Sequence, residues 1–419
     1  MLNKEGQREL AYVVQIDAIE PIEGSDNCEA AVVGGWKIMT RKGTFYPGNL
    51  AIYFEIDSKV PETKEYEFLA KKHYKVKTQK YTFGGKGNFI SQGLLMAFED
   101  LPQYFNLNVD GWLYKTHNPT KGKETIDYLV QKGDYLTELL GVTYSVAEDN
   151  KRKGKSVNKY AKMYQRHIKL FRKFKILQKI YNTKYGKKIL FLFLGKKKDN
   201  RGWPEWVRKT DEERCQNLPQ LFPGDETKWI VTEKIDGTST TFTYKKRGKN
   251  KGFYVCSRNV CFDTPEKAEK CFYDTNVYLE MAYKYNMEQV LKDLAECYPE
   301  WDFITIQGET YGNGIQKRTY GLDEHDFMAF NLIVGNDIND QMRIDTVAMS
   351  QILRDMGIPT IPVLDTEFKI PETCDELLKY ADGKSQIDGE MREGIVLRTW
   401  DGVNSFKAVS NDFLIKYHE

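Results

Sequence analysis

The pattern of apolar and polar positions divides the chain into three parts, the first of which has a strand-like period. Over residues 8–140, short apolar runs alternate with polar positions and are separated by Gly-rich and Pro-Gly turns. The runs cover residues 11–16, 30–33, 36–39 and 50–56. Short strands at this spacing predict a small β-barrel.

The second part, residues 144–202, combines helical spacing with concentrated charge. Apolar residues recur at three- and four-residue steps at Tyr160, Tyr164, Ile168, Phe171, Phe174, Leu177 and Tyr181. This spacing predicts a helix with one apolar face and a cationic remainder. The run at 189–194 is too short to span a bilayer, and we interpret it as a buried strand or helical turn.

Charge is distributed unevenly along the chain. Residues 151–200 contain 18 Lys or Arg and one acidic residue, Asp199, a net +17, so the rest of the chain carries −15 of the total +2. Such asymmetry indicates a polyanionic partner. A basic amphipathic helix can bind either nucleic acid or a membrane surface, and the residues that follow it favour nucleic acid.

The third part, residues 203–419, alternates strand-like and helical segments. Strands are predicted for the apolar runs at 229–231, 253–256, 303–306, 327–334, 395–397 and 413–415. Helices are predicted at 276–297, 346–356 and 372–380. The fold class is therefore α+β and multidomain, with domains at 1–143 and 203–419, a basic helical linker at 144–202, and antiparallel sheets that wall a cleft in the last domain.

Cysteine usage and hydropathy indicate the compartment. The seven Cys form no Cys-x-x-Cys pair and have no His at metal-ligand spacing. The first residues are polar, and no apolar run reaches the length of a membrane span. These features predict a soluble, cytoplasmic protein with reduced thiols and no membrane partner.

The strongest chemical signal is Lys234 in the sequence Lys-x-Asp-Gly. It follows the apolar run at 229–231 and precedes a β-branched run at 238–244, so Lys234 lies at a strand-to-turn junction beside Asp236. A nucleophilic Lys must be desolvated or placed near other cations or a metal, and Gly237 allows the backbone to approach a ligand. The alternative is an ordinary hairpin turn with a solvated Lys.

Five further pieces follow Lys234 in a fixed order. They are Ser257-Arg258-Asn259, Gly308-Glu309-Thr310-Tyr311-Gly312, Asp326-Phe327-Met328-Ala329-Phe330-Asn331, Glu393-Gly394-Ile395-Val396-Leu397-Arg398 and Ser405-Phe406-Lys407-Ala408-Val409-Ser410. This series resembles the motifs of the covalent nucleotidyltransferases, which are the ATP-dependent DNA and RNA ligases and the mRNA capping enzymes.

The N-terminal part indicates which of these families the chain resembles most. Residues 13–36 and 54–62 look like strands of an OB-fold, and the basic, aromatic stretch at 71–81 suits nucleic-acid contacts as well as a solvated loop. Only 12 residues follow Lys407, too few for the C-terminal OB domain of DNA ligases and capping enzymes. The arrangement resembles nick-sealing RNA ligases with an N-terminal OB domain.

The resemblance implies a catalytic role for five residues. Lys234 would attack the α-phosphate of ATP to form lysyl-AMP, and Lys407 would stabilise charge on that phosphate. The carboxylates of Asp236, Glu309 and Glu393 would position a hydrated Mg²⁺ or Mn²⁺, or the ribose. The alternative for Glu309 and Glu393 is a plain surface salt bridge.

The resemblance also implies a set of nucleotide-binding residues. Phe330 would stack on adenine with Val396 as the opposite wall, although both could be ordinary sheet core. Arg214 would face the ATP phosphates, with an exposed helix salt bridge as the alternative, and Arg258 would contact ribose or phosphate. Glu233 and Gly237, which flank the nucleophile, complete the set.

One position departs from the family pattern. Related RNA ligases often have Lys-x-Lys in the last motif, whereas Lys407 is followed by Ala408 and Val409, and Lys416 is the next cation. Whether Lys416 replaces the second Lys is left open.

The resulting expectation is a monomeric, ATP-dependent RNA ligase. It would transfer AMP from Lys234 to a 5′-phosphate end and join that end to a 3′-hydroxyl, at nicks in duplex RNA or an RNA/DNA hybrid. Two alternatives stay open: a nucleic-acid-binding protein with a degenerate ligase module, and an adenylyltransferase with another acceptor.

Overall fold

The computed structural model describes residues 8–83, 86–117, 125–144, 174–183, 185–194, 203–209, 211–262, 271, 273 and 275–418. Most of the helix predicted from the spacing at 160–181 lies outside these residues. The described part contains α1 (Lys175–Tyr181) and α2 (Gly186–Leu194). The run at 189–194 is thus helical. Its residue Leu190 is buried against Leu177 and Ile180 of α1.

The N-terminal domain consists of short antiparallel strands and a 3₁₀ helix at Lys64–Lys72. Its strands are β1 (Ala11–Gln15), β2 (Ala18–Pro21), β3 (Cys28–Val33), β4 (Trp36–Arg41), β5 (Leu50–Phe54), β6 (Ser58–Lys59), β7 (Gln79–Phe83), β8 (Lys86–Ser91), β9 (Leu94–Met96), β10 (Phe105–Asn108), β11 (Gly111–His117), β12 (Thr125–Leu129) and β13 (Thr143–Tyr144). They pair in the orders β1-β5-β9, β2-β3-β4, β7-β8, β10-β11-β12 and β13-β6. The predicted β-rich domain is confirmed, although the described strands form several small sheets and not one closed barrel.

The β1 and β5 strands are buried on both faces, which explains their continuous apolar sequences. Ala11 and Val13 face one core cluster with Ile52 and Phe54. Tyr12 and Val14 face a second cluster that contains Trp36 and Tyr53. Because side chains alternate across a strand, a run without polar positions fits only a strand covered on both sides.

The C-terminal domain is α+β, as predicted. Its strands are β14 (Glu213–Arg214), β15 (Trp229–Lys234), β16 (Thr238–Lys245), β17 (Gly252–Ser257), β18 (Phe303–Gly312), β19 (His325–Gly335), β20 (Gln341–Arg343), β21 (Val363–Phe368), β22 (Gly394–Thr399) and β23 (Ser405–Val409). Its helices are α3 (Val277–Lys284), α4 (Met287–Cys297), α5 (Thr346–Asp355), α6 (Cys374–Ala381) and α7 (Asn411–His418).

Two five-stranded sheets build this domain. The first has the order β14-β23-β22-β15-β21, and the second has the order β17-β16-β18-β19-β20. The first sheet packs Val231 and Leu397 on α6, and the second packs Phe242 and Ile306 on α3, α4 and α5. The functional side chains lie on the uncovered faces, where the two sheets approach each other.

One predicted strand is a helix. The run at 413–415 lies in α7, where Phe413 is fully buried and Leu414 packs with Ile56 and Val409. Ser410 Oγ accepts a hydrogen bond from the Phe413 backbone N–H at 3.0 Å and caps the first turn. The prediction was wrong because three apolar residues are too short a run to distinguish a strand from a helix.

The N-terminal domain docks directly beside the cleft. Trp36 Nε1 donates to Asn217 Oδ1 at 2.6 Å, and Asn217 Nδ2 donates to the buried Glu55 carboxylate at 3.2 Å. The Gly35 backbone N–H donates to the Gln216 carbonyl at 2.9 Å. These bonds fix the segment immediately after Arg214 to the N-terminal domain.

Candidate active site

Lys234 and Glu393 form a close ion pair because of strand register. The β15 and β22 strands are antiparallel with Lys234 opposite Gly394, so Glu393 lies just beyond the end of β22 beside the Lys234 side chain. Lys234 Nζ donates to Glu393 Oε1 at 2.7 Å and Oε2 at 2.6 Å. The Lys234 side chain is 24% exposed, and its amine is bound to both carboxylate oxygens of Glu393.

Two more carboxylates surround this pair. Glu309 lies on β18 of the second sheet, and Asp236 follows β15, where its backbone N–H donates to Tyr320 Oη at 2.7 Å. Burial raises the pKa of Glu309 to about 8, and the carboxylates of Glu393 and Asp236 add to the rise. Burial alone would lower the pKa of Lys234, but Glu393 and Glu309 outweigh it and raise the pKa above its ordinary value.

Cationic side chains gather around Lys407, near Lys234. The β14 and β23 strands are parallel with Arg214 beside Lys407, and Lys407 is opposite Val396 of β22. Burial lowers the pKa of Lys407 to about 8 even though Asp211 opposes the effect. Lys407 Nζ donates to Asp211 Oδ1 at 3.0 Å, and Arg258 Nη2 donates to Asp211 Oδ2 at 2.6 Å.

Phe330 and Val396 form apolar walls on the two sheets. The β18 and β19 register skips between Gln307/Asn331 and Gly308/Ala329, which makes Phe330 the extra residue of a β-bulge. Val396 is 8% exposed and alternates with the core residues of β22. The Arg398 guanidinium lies 5.9 Å from the Phe330 ring centroid, so the two sheets approach each other here.

Gly237 and Glu233 flank Lys234 in different ways. A Cβ on Gly237 would lie 2.4 Å from the Thr310 carbonyl and 2.8 Å from Glu309 Cγ, so glycine allows β18 to approach. The Glu233 side chain is buried and accepts a hydrogen bond from the Gln386 backbone N–H at 2.8 Å. Glu233 thus contacts the 385–387 loop and not the carboxylate group around Lys234.

Lys416 is the next cation after Lys407. It is exposed on α7, with its ammonium 5.0 Å from the Tyr417 ring centroid. Lys416 is therefore not on β23, the strand that carries Lys407.

Three residues at the site were not predicted. Asp211 binds both Lys407 and Arg258, Arg398 lies beside Phe330, and Arg8 reaches Asp211 from the N-terminal domain at 3.2 Å. Arg398 could have been found, because alternation along β22 places it on the same face as Val396. Asp211 and Arg8 are 203 positions apart, and no local pattern brings them together.

Two family models match separate parts of the chain. The family model "RNA ligase" matches residues 227–418, and an OB-fold domain model matches residues 10–97. No curated protein matches the chain in sequence. The C-terminal domain is an RNA ligase domain. The predicted family and the N-terminal OB domain are thereby confirmed.

Solved structures of an RNA ligase from Naegleria gruberi share the fold of the whole chain. The form with PPi is 24% identical with a TM-score of 0.66, and the match covers 98% of this chain and 99% of that one. The form with ATP and Mn gives the same values, and the form with AMP and Mn has a TM-score of 0.65 at the same identity and coverage. The likeness establishes the two-domain fold.

The ligase domain and the OB domain leave residues 98–226 outside both family matches. Arg214, Asp211 and the hydrogen bonds of Asn217 lie in this interval. Of the helices that the structure describes, none is both long and apolar enough to cross a membrane.

Proposed function

We propose that this chain is an ATP-dependent RNA ligase that works through lysyl-AMP and seals nicks in duplex RNA or RNA/DNA hybrids as a monomer. The observation that carries the proposal is the position of Lys234 among three carboxylates and near a group of cations. The carboxylates are Asp236, Glu309 and Glu393, and the cations are Arg214, Arg258 and Lys407. We also propose three parts for the chain: an OB domain at 1–143, a basic helical linker at 144–202 and a catalytic domain at 203–419.

Lys234 would act as the nucleophile in the first step. Its deprotonated Nζ attacks the α-phosphorus of ATP, a P–N bond forms, the bond from the α-phosphorus to the bridging oxygen breaks, and pyrophosphate leaves with the bonding electrons. The raised pKa of Lys234 means that its carboxylate neighbours stabilise the ammonium, which must lose a proton before the attack. Relief of the negative charge around Glu393 would therefore activate the amine.

The carboxylate group fits a hydrated divalent cation. Burial first, and then the carboxylates of Glu393 and Asp236, raise the pKa of Glu309 to about 8, and a cation bound nearby would favour its ionised form. Among the described residues, no three His, Cys, Asp or Glu side chains are grouped as direct ligands of one ion. Mg²⁺ keeps most of its waters, so Asp236, Glu309 and Glu393 would hold it through them, and the ion would supply charge neutralisation at phosphate.

The remaining residues would bind the nucleotide. Phe330 from one sheet and Val396 from the other would enclose the base, and aromatic stacking accepts a purine face without specific hydrogen bonds. Lys407 would stabilise the charge that develops on the α-phosphate, and Arg214 and Arg258 would contact phosphate or ribose.

The next steps would use RNA ends. A 5′-phosphate oxygen attacks the phosphorus of lysyl-AMP and releases Lys234, and a 3′-hydroxyl then attacks the 5′-phosphorus and releases AMP. The OB domain lies beside the cleft and carries a basic surface around Lys71, Lys72 and Lys80, which suits contacts to phosphates.

A joining assay tests the whole proposal. A nicked RNA duplex with a labelled 5′-phosphate is incubated with ATP and Mg²⁺, and the length of the labelled strand is measured on a denaturing gel. We expect a joined strand with wild type, none with Lys234→Ala, and normal joining with Lys228→Ala, which alters an exposed ion pair to Glu367 near the start of β15. Adenylylated protein without joining of any RNA end would instead support transfer to another acceptor.

A further inference from the structure

Asp211 binds three cations that come from different parts of the molecule. Its Oδ1 accepts hydrogen bonds from Lys407 Nζ at 3.0 Å and Arg8 Nη2 at 3.2 Å. Its Oδ2 accepts from Arg258 Nη2 at 2.6 Å and Arg8 Nε at 3.3 Å. The Asp211 side chain is 12% exposed, so these contacts are largely removed from solvent. A carboxylate in this position fixes the direction of each cation.

Arg8 connects this carboxylate to the OB domain. Besides Asp211, Arg8 Nη1 donates to Glu55 Oε2 at 3.1 Å. The other oxygen of Glu55 accepts hydrogen bonds from Tyr12 Oη at 3.1 Å and Asn217 Nδ2 at 3.2 Å. The Arg8 side chain is 12% exposed and reaches Asp211 only while the OB domain is docked.

Lys407 lies in a predominantly cationic environment. Asp211, Glu212 and Arg214 face it from the segment around β14, Lys234 from β15, Arg258 from beyond β17, and Arg8 from the OB domain. Among these groups Arg8, Arg214 and Lys234 lower the pKa of Lys407, and Asp211 raises it. Asp211 is therefore the main neighbour that keeps the Lys407 ammonium protonated.

We propose that Asp211 is a positioning residue for adenylylation, which holds Lys407 against the α-phosphate site and is shared with Arg8 so that docking of the OB domain adjusts Lys407. The proposal rests on the role of Lys407 in the proposed function. Arg8 weakens the hold of Asp211 on Lys407 by competing for Oδ1 and by its own positive charge. Removal of Asp211 and removal of Arg8 should consequently have opposite effects on Lys407.

Competitive acetylation of the nucleotide-free protein measures the effect on Lys407 directly. Wild type, Asp211→Asn, Asp211→Glu and Arg8→Gln are treated with acetic anhydride from pH 6 to 10, and the modification of Lys407 is measured by mass spectrometry with Lys228 as an internal reference. At pH 7 we expect Lys407 to react about tenfold faster in Asp211→Asn and severalfold slower in Arg8→Gln, with Asp211→Glu close to wild type. Equal Lys407 reactivity in Asp211→Asn, Arg8→Gln and wild type would overturn the proposal.

Single-turnover adenylylation supplies the functional readout. The rate with Asp211→Asn should fall more at pH 9 than at pH 7, because Lys407 loses its proton earlier, whereas Asp211→Glu should retain the wild-type profile. An equal loss at all pH values would mean a merely structural role and would overturn the proposal. Circular dichroism confirms that each variant is folded.

A matched control addresses domain docking in general. Asp375→Asn breaks another ion pair between the domains, in which Lys37 Nζ lies 3.0 Å from Asp375 Oδ2, without touching the Asp211 group. Asp375→Asn should leave Lys407 reactivity unchanged, and a shift equal to that of Arg8→Gln would overturn the role of Arg8. Absence of adenylylation in wild type would contradict the proposed function alone, because the acetylation measurement needs no ATP.

Discussion

At the scale of single residues, the environment of each side chain decides its chemistry. Glu309 and Lys407 both have a pKa of about 8, one raised and one lowered by burial. Burial thus disfavours the charged form of both groups. In the proposed function a metal-bound nucleotide would favour both charged forms, because the cation would lie near the carboxylates and the phosphates near Lys407.

The pKa of Glu309 predicts a pH dependence of stability. In the folded state Glu309 holds its proton up to about pH 8, whereas the unfolded chain releases it near the ordinary value of 4.5. This contribution to stability is complete below pH 4.5 and is lost as pH rises through 8. In EDTA, Glu309→Gln should therefore melt about 2 °C or more above wild type at pH 8.5 and within about 1 °C of it at pH 4.5.

Addition of Mg²⁺ provides the complementary test of Glu309. The ion should raise the melting temperature of wild type at pH 8.5 and have a smaller effect on Glu309→Gln. Identical pH profiles of the two proteins in EDTA would be inconsistent with the raised pKa.

Phe330 predicts a change in nucleotide affinity. Phe330→Leu keeps apolar volume but removes the aromatic face, and stacking of a base on an aromatic ring contributes about 1–3 kcal/mol. The dissociation constant of ATP, measured by calorimetry, should rise about tenfold or more. Tyr283→Leu, which alters a ring that is 80% exposed on α3, should bind ATP as wild type does. Unchanged affinity in Phe330→Leu would exclude the stacking role.

At the scale of elements, strand register brings the site together. Opposite pairing of Lys234 with Gly394 and of Val396 with Lys407 follows from the antiparallel order of β15, β22 and β23. Apolar runs in the sequence predict most strands of this domain. The order of the six motifs predicts which side chains share the cleft. The bulge at Phe330 could not be predicted, because an extra residue in a strand leaves no signature in an apolar run.

The close packing of Gly237 against β18 predicts that a side chain at this position will displace β18. In Gly237→Ala the new methyl group would meet the Thr310 carbonyl at 2.4 Å, so β18 must shift together with Glu309. We expect a loss of about 1–3 kcal/mol of stability in urea and a loss of adenylylation of at least tenfold. The matched control is Gly248→Ala. Gly248 has a φ of +84°, which strains an alanine, but an added Cβ would have no atom within 4 Å. This variant should lose stability while the folded protein keeps its activity.

At the scale of the whole molecule, docking of the OB domain completes the charged site. The hydrogen bonds of Asn217 with Glu55 and Trp36 and the contact of Arg8 with Asp211 join positions that are more than 150 residues apart. Sequence patterns predict that both domains exist, but they carry no information on contacts made after both have folded. The Arg8–Asp211 pair therefore could not be predicted from the sequence.

The basic segment predicts a salt dependence of RNA binding. Residues 151–200 carry a net +17, and replacement of 145–200 by a Gly-Ser linker of equal length leaves β13 intact. The slope of log affinity for a nicked duplex against log salt should become less steep by about 0.9 for each phosphate contact removed. An unchanged slope would place the phosphate contacts elsewhere, with the OB domain as the remaining basic surface.

The central claim is that Lys234 carries AMP. The most direct measurement is incubation of wild type and Lys234→Ala with Mg²⁺ and ATP labelled on the α-phosphate, followed by denaturing electrophoresis. We predict a covalent label on wild type, none on Lys234→Ala, and loss of the label when a 5′-phosphorylated RNA nick is added. A wild-type protein that stays unlabelled, or a Lys234→Ala variant that is labelled equally, would contradict the account.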